Sequence, residues 1–282
     1  MAQIRVEDAG KWAAADAGGT EPRKWIERLA RLGFIAKGIV YMVVGMLALR
    51  AAMGRGGATT DSRGALRRIG DGAFGDVALV IIGVGLLGYA LWQVISAVKD
   101  TDVRGSDAKG IAVRIGQAGR ALAYGALGVV ALGLIDGSAG RDREAAADWT
   151  ARGLQAPFGK WLVIAVGASI AGYAIYQWYR AARKDVNKRL DLSGANPTIE
   201  VWVERLARFG IAARGVVFAI IGVLIIRAGV EFDPSEAGGV RESLLTLGSQ
   251  PYGAAILGII AAGLIAYGLF QLANARYRWV RA

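Results

Sequence analysis

Three basic residues stand at matching places inside three apolar segments of this chain. Lys37, Arg120 and Arg214 each follow a glycine by four residues (Gly33, Gly116, Gly210) and precede an aromatic by four (Tyr41, Tyr124, Phe218). A cation in an apolar stretch is costly unless something answers its charge, so the chemistry such a set offers is recognition of an anion. A second set accompanies it. Gln93, Gln177 and Gln271 each follow a tyrosine by four residues (Tyr89, Tyr173, Tyr267). An amide both donates and accepts, and can orient a cation or a polar ligand.

The elements carrying these residues are long apolar runs. Residues 77–98 hold 22 positions without a formal charge, 161–179 hold 19, and 251–275 hold 25. A helix crossing a bilayer needs about 20 mainly apolar residues, so these three pass unaided. Their partners reach that length only when counted from the basic end, over 33–52, 114–135 and 208–230. The expectation is six transmembrane helices.

These helices form three copies of one unit. Residues 25–40 and 202–217 are identical at ten of sixteen positions. The second unit keeps Arg114 opposite Arg31 and Arg208 but lacks the Trp-x-Glu-Arg-Leu lead. Re-entry at Phe74-Gly75, Phe158-Gly159 and Tyr252-Gly253 recurs as well. Two spans per unit insert every copy the same way up, which gives parallel repeats and suggests a pseudo-threefold bundle. The divisions read as a polar N-terminal segment 1–24, repeat 1 at 25–102, repeat 2 at 103–186, a linker 187–201 broken at Asn196-Pro197, and repeat 3 at 202–282. Short surface helices are expected in the long loops, over 64–69 and 240–247, and an amphipathic approach precedes helices 1 and 5.

The net charge of +11 is unevenly placed. Segments that would share the side of the termini hold 20 Lys and Arg, and the loops of the other side hold 8. This is the positive-inside pattern with both termini cytoplasmic, and it accounts for the charge without nucleic acid. The first 22 residues hold no signal-peptide core, and helix 1 would serve as the insertion signal. The absence of cysteine and histidine removes disulfides, thiolate chemistry and the usual zinc and haem ligands. No metal site, cofactor or catalytic residue is expected: no nucleophile has a base beside it, no Walker-type loop occurs, and the spans hold no carboxylate for proton coupling.

At 100° per residue Phe34, Lys37, Gly38, Tyr41, Gly45 and Ala48 share one sector of helix 1, so the cation lies on the small-residue packing face. Gly85, Tyr89, Gln93 and Ser96 share a face of helix 2, with counterparts Ser169, Tyr173, Gln177, Arg180 and Gly263, Tyr267, Gln271, Asn274. Similar depth suggests the pairs Lys37–Gln93, Arg120–Gln177 and Arg214–Gln271. Three readings stay open: cations that snorkel to the interface, cations that act as structural glue, and cations that face a cavity and hold an anion or lipid phosphate.

The motifs Arg-x-Gly-x-x-x-(Lys/Arg)-(Gly/Ala)-x-x-(Tyr/Phe) and (Gly/Ala)-Tyr-x-x-x-Gln open and close each repeat. In these the chain resembles a bacterial membrane-protein family of unknown function, built from three tandem two-transmembrane-helix repeats. The resemblance covers residues 25–278 and implies a six-helix protein of the bacterial cytoplasmic (inner) membrane, with no activity attached. The expected function is therefore non-enzymatic: an all-α membrane protein binding or conducting an anion or anionic lipid. Lys37, Arg120 and Arg214 would supply charge, Gln93, Gln177 and Gln271 would orient it, and Tyr41, Tyr124, Tyr89, Tyr173 and Tyr267 would form the walls. The alternative is an accessory or scaffold subunit, packing on a membrane-protein partner or on its own copy.

Overall fold

The computed structural model describes residues 21–55, 59–99, 108–138, 145–183, 190 and 196–278. Six long helices dominate: α1 (Glu21–Ala52), α3 (Gly75–Lys99), α4 (Ala108–Gly133), α6 (Gly159–Ala182), α7 (Pro197–Glu231) and α9 (Gly253–Tyr277). Three short ones, α2 (Ser62–Gly70), α5 (Ala145–Leu154) and α8 (Val240–Gly248), sit in the loops at one end. Each long helix contains a stretch apolar and long enough to cross a membrane. The chain is a multi-pass membrane protein.

Local chemistry sets the boundaries. Asp61 Oδ1 accepts from the Gly64 N–H and starts α2. Asn196 Oδ1 accepts from the Thr198 N–H, with Pro197 at the first helical position of α7. The short helices expected at 64–69 and 240–247 are present. The approach segments before helices 1 and 5 are not separate elements. They continue into α1 and α7, and α7 at 35 residues is about 52 Å long, well beyond a core of about 30 Å.

The long helices pack side by side in the order α6, α7, α9, α1, α3, α4. Three of these contacts join neighbouring repeats: α9 to α1, α3 to α4, and α6 to α7. They are built alike. Glycine meets backbone in each. A Cβ on Gly38 would lie 2.8 Å from the Gly268 carbonyl oxygen, one on Gly128 3.1 Å from that of Gly83, and one on Gly222 2.9 Å from that of Gly167. The small residues seen in the sequence thus let backbones approach.

A matched arginine closes each interface. Arg31 Nη1 donates to the Ala275 and Arg276 carbonyls at the end of α9. Arg114 Nε donates to Ala97 at the end of α3, and Arg208 Nε donates to Ala181 at the end of α6. Each cation answers carbonyls left free at a helix C-terminus, where the dipole favours positive charge. Glu27 and Glu204 hold Arg31 and Arg208 from one turn earlier. Repeat 2 has Gly110 there instead.

The contacts within repeats are unequal. In repeat 1, α1 packs on α3, and in repeat 3, α7 packs on α9. A Cβ on Gly33 would lie 2.6 Å from the Gly85 carbonyl oxygen, and one on Gly210 2.6 Å from the Tyr267 Cα. In repeat 2, α4 and α6 are not packed along each other. Gly119 and Gly172 have nothing within 4 Å of a built Cβ, and Gly116 has only its own neighbour Arg120, at 4.0 Å. Three interfaces between repeats are equivalent, and one of three hairpins stands open.

Candidate functional site

Helical spacing brings the singled-out residues to the middle of this ring. Lys37 faces inward because it shares the α1 sector that packs on α9 and α3. It is 4% exposed. Its Nζ lies 4.7 Å from the centre of the Tyr124 ring, 5.1 Å from Tyr89 and 5.5 Å from Tyr267. Arg214, 7% exposed, stands over Tyr267 at 4.2 Å, Phe218 at 5.1 Å and Tyr41 at 5.2 Å. The two cations therefore share the Tyr267 ring. The walls interlock edge to face: Tyr41 on Tyr267 at 4.8 Å, Tyr89 on Tyr124 at 5.1 Å, and Tyr173 on Phe218 at 5.3 Å. Ring faces are negative and ring edges positive, so tyrosines suit both the cations and each other.

Arg120 is half-buried on α4. Its guanidinium reaches the Tyr173 phenol of α6, and its charge acts on Lys37 together with those of Arg214, Arg278 and Arg180. Lys37, Arg120 and Arg214 thus converge on one region. The snorkelling reading does not describe Lys37 or Arg214, which are buried among rings.

No acid among the described residues pairs with Lys37 or Arg214. Among the described residues neither Lys37 nor Arg214 makes an ion pair or a hydrogen bond, and the Arg214 Nε is buried with no partner. Like charges roughly 10 Å apart repel by about 1–2 kcal/mol at an effective dielectric of about 20. Cation–π contacts of about 1–2 kcal/mol each offset part of that cost and of desolvation. They supply no hydrogen-bond acceptor. Beside Arg214, toward the end that carries the short helices, lies a cavity of about 20 Å³, room for about one water. Tyr41, Val217, Phe218 and Leu264 line it, with Ser62 and Val240 toward that end.

The glutamines are buried as expected, but their pairing is different. Gln177 Oε1 accepts from Arg180 Nη1 at 3.4 Å, and Gln271 Oε1 accepts from Asn274 Nδ2 at 3.4 Å. No hydrogen bond joins Gln93 to Lys37 among the described residues. The expected pairs Lys37–Gln93, Arg120–Gln177 and Arg214–Gln271 are not formed. A partner one turn along the same helix is already in reach, whereas the cations are drawn to the rings. Gln177 Nε2 is left buried without a partner.

Sequence reasoning passed over Arg278. It lies 5.2 Å from the ring centres of both Phe34 and Trp92, and its Nη1 donates to Asn274 Oδ1 at 3.2 Å. Its spacing was a usable signal, since Arg278 follows Asn274 by one helical turn and Asn274 occupies the place of Arg180 in repeat 2. Arg180 belongs to the same basic surround.

The comparisons with known proteins agree with this repeat architecture. The model of the Domain of Unknown Function (DUF1206) matches three times, over residues 32–100, 115–184 and 209–278. The chain is 36% identical over 258 residues to "Uncharacterized protein YxxB" of Bacillus subtilis (strain 168), covering 92% of this chain and 93% of that protein. No solved structure matches.

Proposed function

The chain belongs to the DUF1206 family, and we propose that it is a non-enzymatic protein of the bacterial inner membrane that binds an anion among Lys37, Arg120 and Arg214. One observation carries this: Lys37 and Arg214 are buried on either side of Tyr267, paired with no carboxylate among the described residues, and the Arg214 Nε is buried without a partner. A buried charge left unanswered costs several kcal/mol. A bound anion relieves that cost for several cations at once. Tyrosine hydroxyls add donors around it, and a phosphate group offers both the charge and the acceptors these donors need. The excess of Lys and Arg near the termini supports a cytoplasmic location for both ends.

The test replaces Lys37, Arg120 and Arg214 together by Gln. Purified wild type should bind glycerol phosphate by calorimetry and retain phosphatidylglycerol over phosphatidylcholine on extraction from mixed vesicles. The triple variant, folded by circular dichroism, should lose both properties. Equal binding by the two proteins would contradict the proposal.

A further inference from the structure

The unpacked hairpin of repeat 2 lies beside the basic cluster. Matched positions show what is missing there. In repeat 1 a Cβ on Gly85 would lie 3.1 Å from the Ala36 Cβ, and one on Gly88 2.8 Å from the Leu29 Cβ. The corresponding pairs in repeat 2 are Ser169 with Gly119 and Gly172 with Ala112. Gly119 and Gly172 face open space, and Ser169, whose hydroxyl is spent on the Ala165 carbonyl, is exposed. α4 and α6 are therefore parted where α1 and α3 touch, which leaves a slit between them.

Its floor is the basic cluster. Arg120 reaches Tyr173 near Gly116. Arg180 lies about two turns beyond Tyr173 on α6, hydrogen-bonded to Gln177. Gln177 is fully buried, with its Nε2 donor unpartnered. The slit thus meets lipid at small residues and has the half-buried cations Arg120 and Arg180 at its floor.

An occupant with this distribution has an anionic head and an apolar tail. We infer that the slit between α4 and α6 admits an anionic phospholipid, its phosphate at Arg120 and Arg180 and one acyl chain between the two helices. This rests on the anion-binding reading above and names the class of ligand. Charge complementarity selects it: an apolar partner helix would leave the half-buried charges of Arg120 and Arg180 without a counter-charge, whereas a phosphate supplies one. A free anion has no use for a slit that opens toward lipid.

The test fills the slit. Gly119→Leu with Gly172→Leu adds bulk where nothing stands, so the closed repeats are untouched. Phosphatidylglycerol retained from mixed vesicles should fall about tenfold or more, with glycerol phosphate binding unchanged. Unchanged phosphatidylglycerol retention would overturn the slit and leave the anion site standing. Loss of both ligands would show that these positions hold the cluster together, and would also overturn the entry role. If wild type binds neither ligand, the anion reading fails and the slit with it. A second measurement is independent of the plug's folding. A benzophenone attached at Gly119→Cys, the only thiol in the chain, should photo-crosslink phosphatidylglycerol well above its share of the vesicle. Crosslinking of phosphatidylglycerol and phosphatidylcholine in proportion to abundance, or of a copurifying protein instead, would contradict it.

Discussion

Repeats 1 and 3 are closed hairpins and repeat 2 is an open one, although all three carry the same glycine at the same place. Gly33 and Gly210 meet backbone and tyrosine, whereas Gly116 meets only its own Arg120. The interfaces between repeats show no such difference: each has a close glycine contact and an arginine on the preceding carbonyls. One ring of helices is therefore held at three equivalent seams and left unlatched within a single unit. Close packing is what the glycine permits, and a neighbouring helix is what makes it matter.

The largest effect should come from bulk at the matched glycines. Gly33→Leu or Gly210→Leu forces a side chain into backbone and should cost about 3 kcal/mol or more, or prevent folding. Gly116→Leu should lose nothing and gain up to about 1 kcal/mol, because the position is open and leucine is nearly as good a helix former as alanine. Thermal unfolding in detergent checks the three variants, and equal losses would erase the distinction.

Next come the buried cations, which bear on what the open repeat serves. Arg214→Met removes an unanswered charge while keeping much of its volume. Stability without ligand should rise by about 1–2 kcal/mol, and glycerol phosphate binding should be lost. Melting curves with and without glycerol phosphate measure both. The seams predict equality instead. Arg31→Ala, Arg114→Ala and Arg208→Ala should each cost about 1 kcal/mol, because each uncovers helix-end carbonyls. A much smaller loss for Arg114→Ala in the same assay would extend the asymmetry to the seams. The smallest change is also the most discriminating in sign. Gly116→Ala should gain up to about 1 kcal/mol from helix propensity alone, while Gly33→Ala should lose stability through its clash with Gly85 and Tyr89.

Much of this was readable in the residues. The apolar runs, the threefold spacing and the sharing of one helical face by Lys37, Gly38 and Tyr41 follow from length and period alone. The convergence of the cations was not: their place on the packing face left snorkelling, structural glue and a shared cavity all open until the neighbouring helices were in place. The open hairpin was not readable, because Gly116, Gly119 and Gly172 look like packing glycines in any alignment with repeats 1 and 3. Whether a small residue touches anything depends on where the neighbouring helix lies, and that is set by the whole ring. The glutamine pairs failed for a related reason. Similar depth in two helices does not outweigh an acceptor or donor one turn away, as Arg180 and Asn274 show. Arg31, Arg114 and Arg208 were visible as a repeated set, but their carbonyl partners belong to the preceding repeat and appear only once the seams are assembled.

The most direct test uses the absence of native cysteine. Two matched pairs are introduced separately: Ala36→Cys with Gly85→Cys in repeat 1, and Gly119→Cys with Ser169→Cys in repeat 2. A disulfide needs Cβ atoms about 3.5–4.5 Å apart, which the repeat 1 pair, at 3.1 Å, reaches once its helices part by a few tenths of an ångström. In native membranes under mild oxidant, the repeat 1 pair should crosslink rapidly and the repeat 2 pair should stay reduced. Equally fast crosslinking of both pairs would show that repeat 2 is a closed hairpin like the others, and would contradict the account.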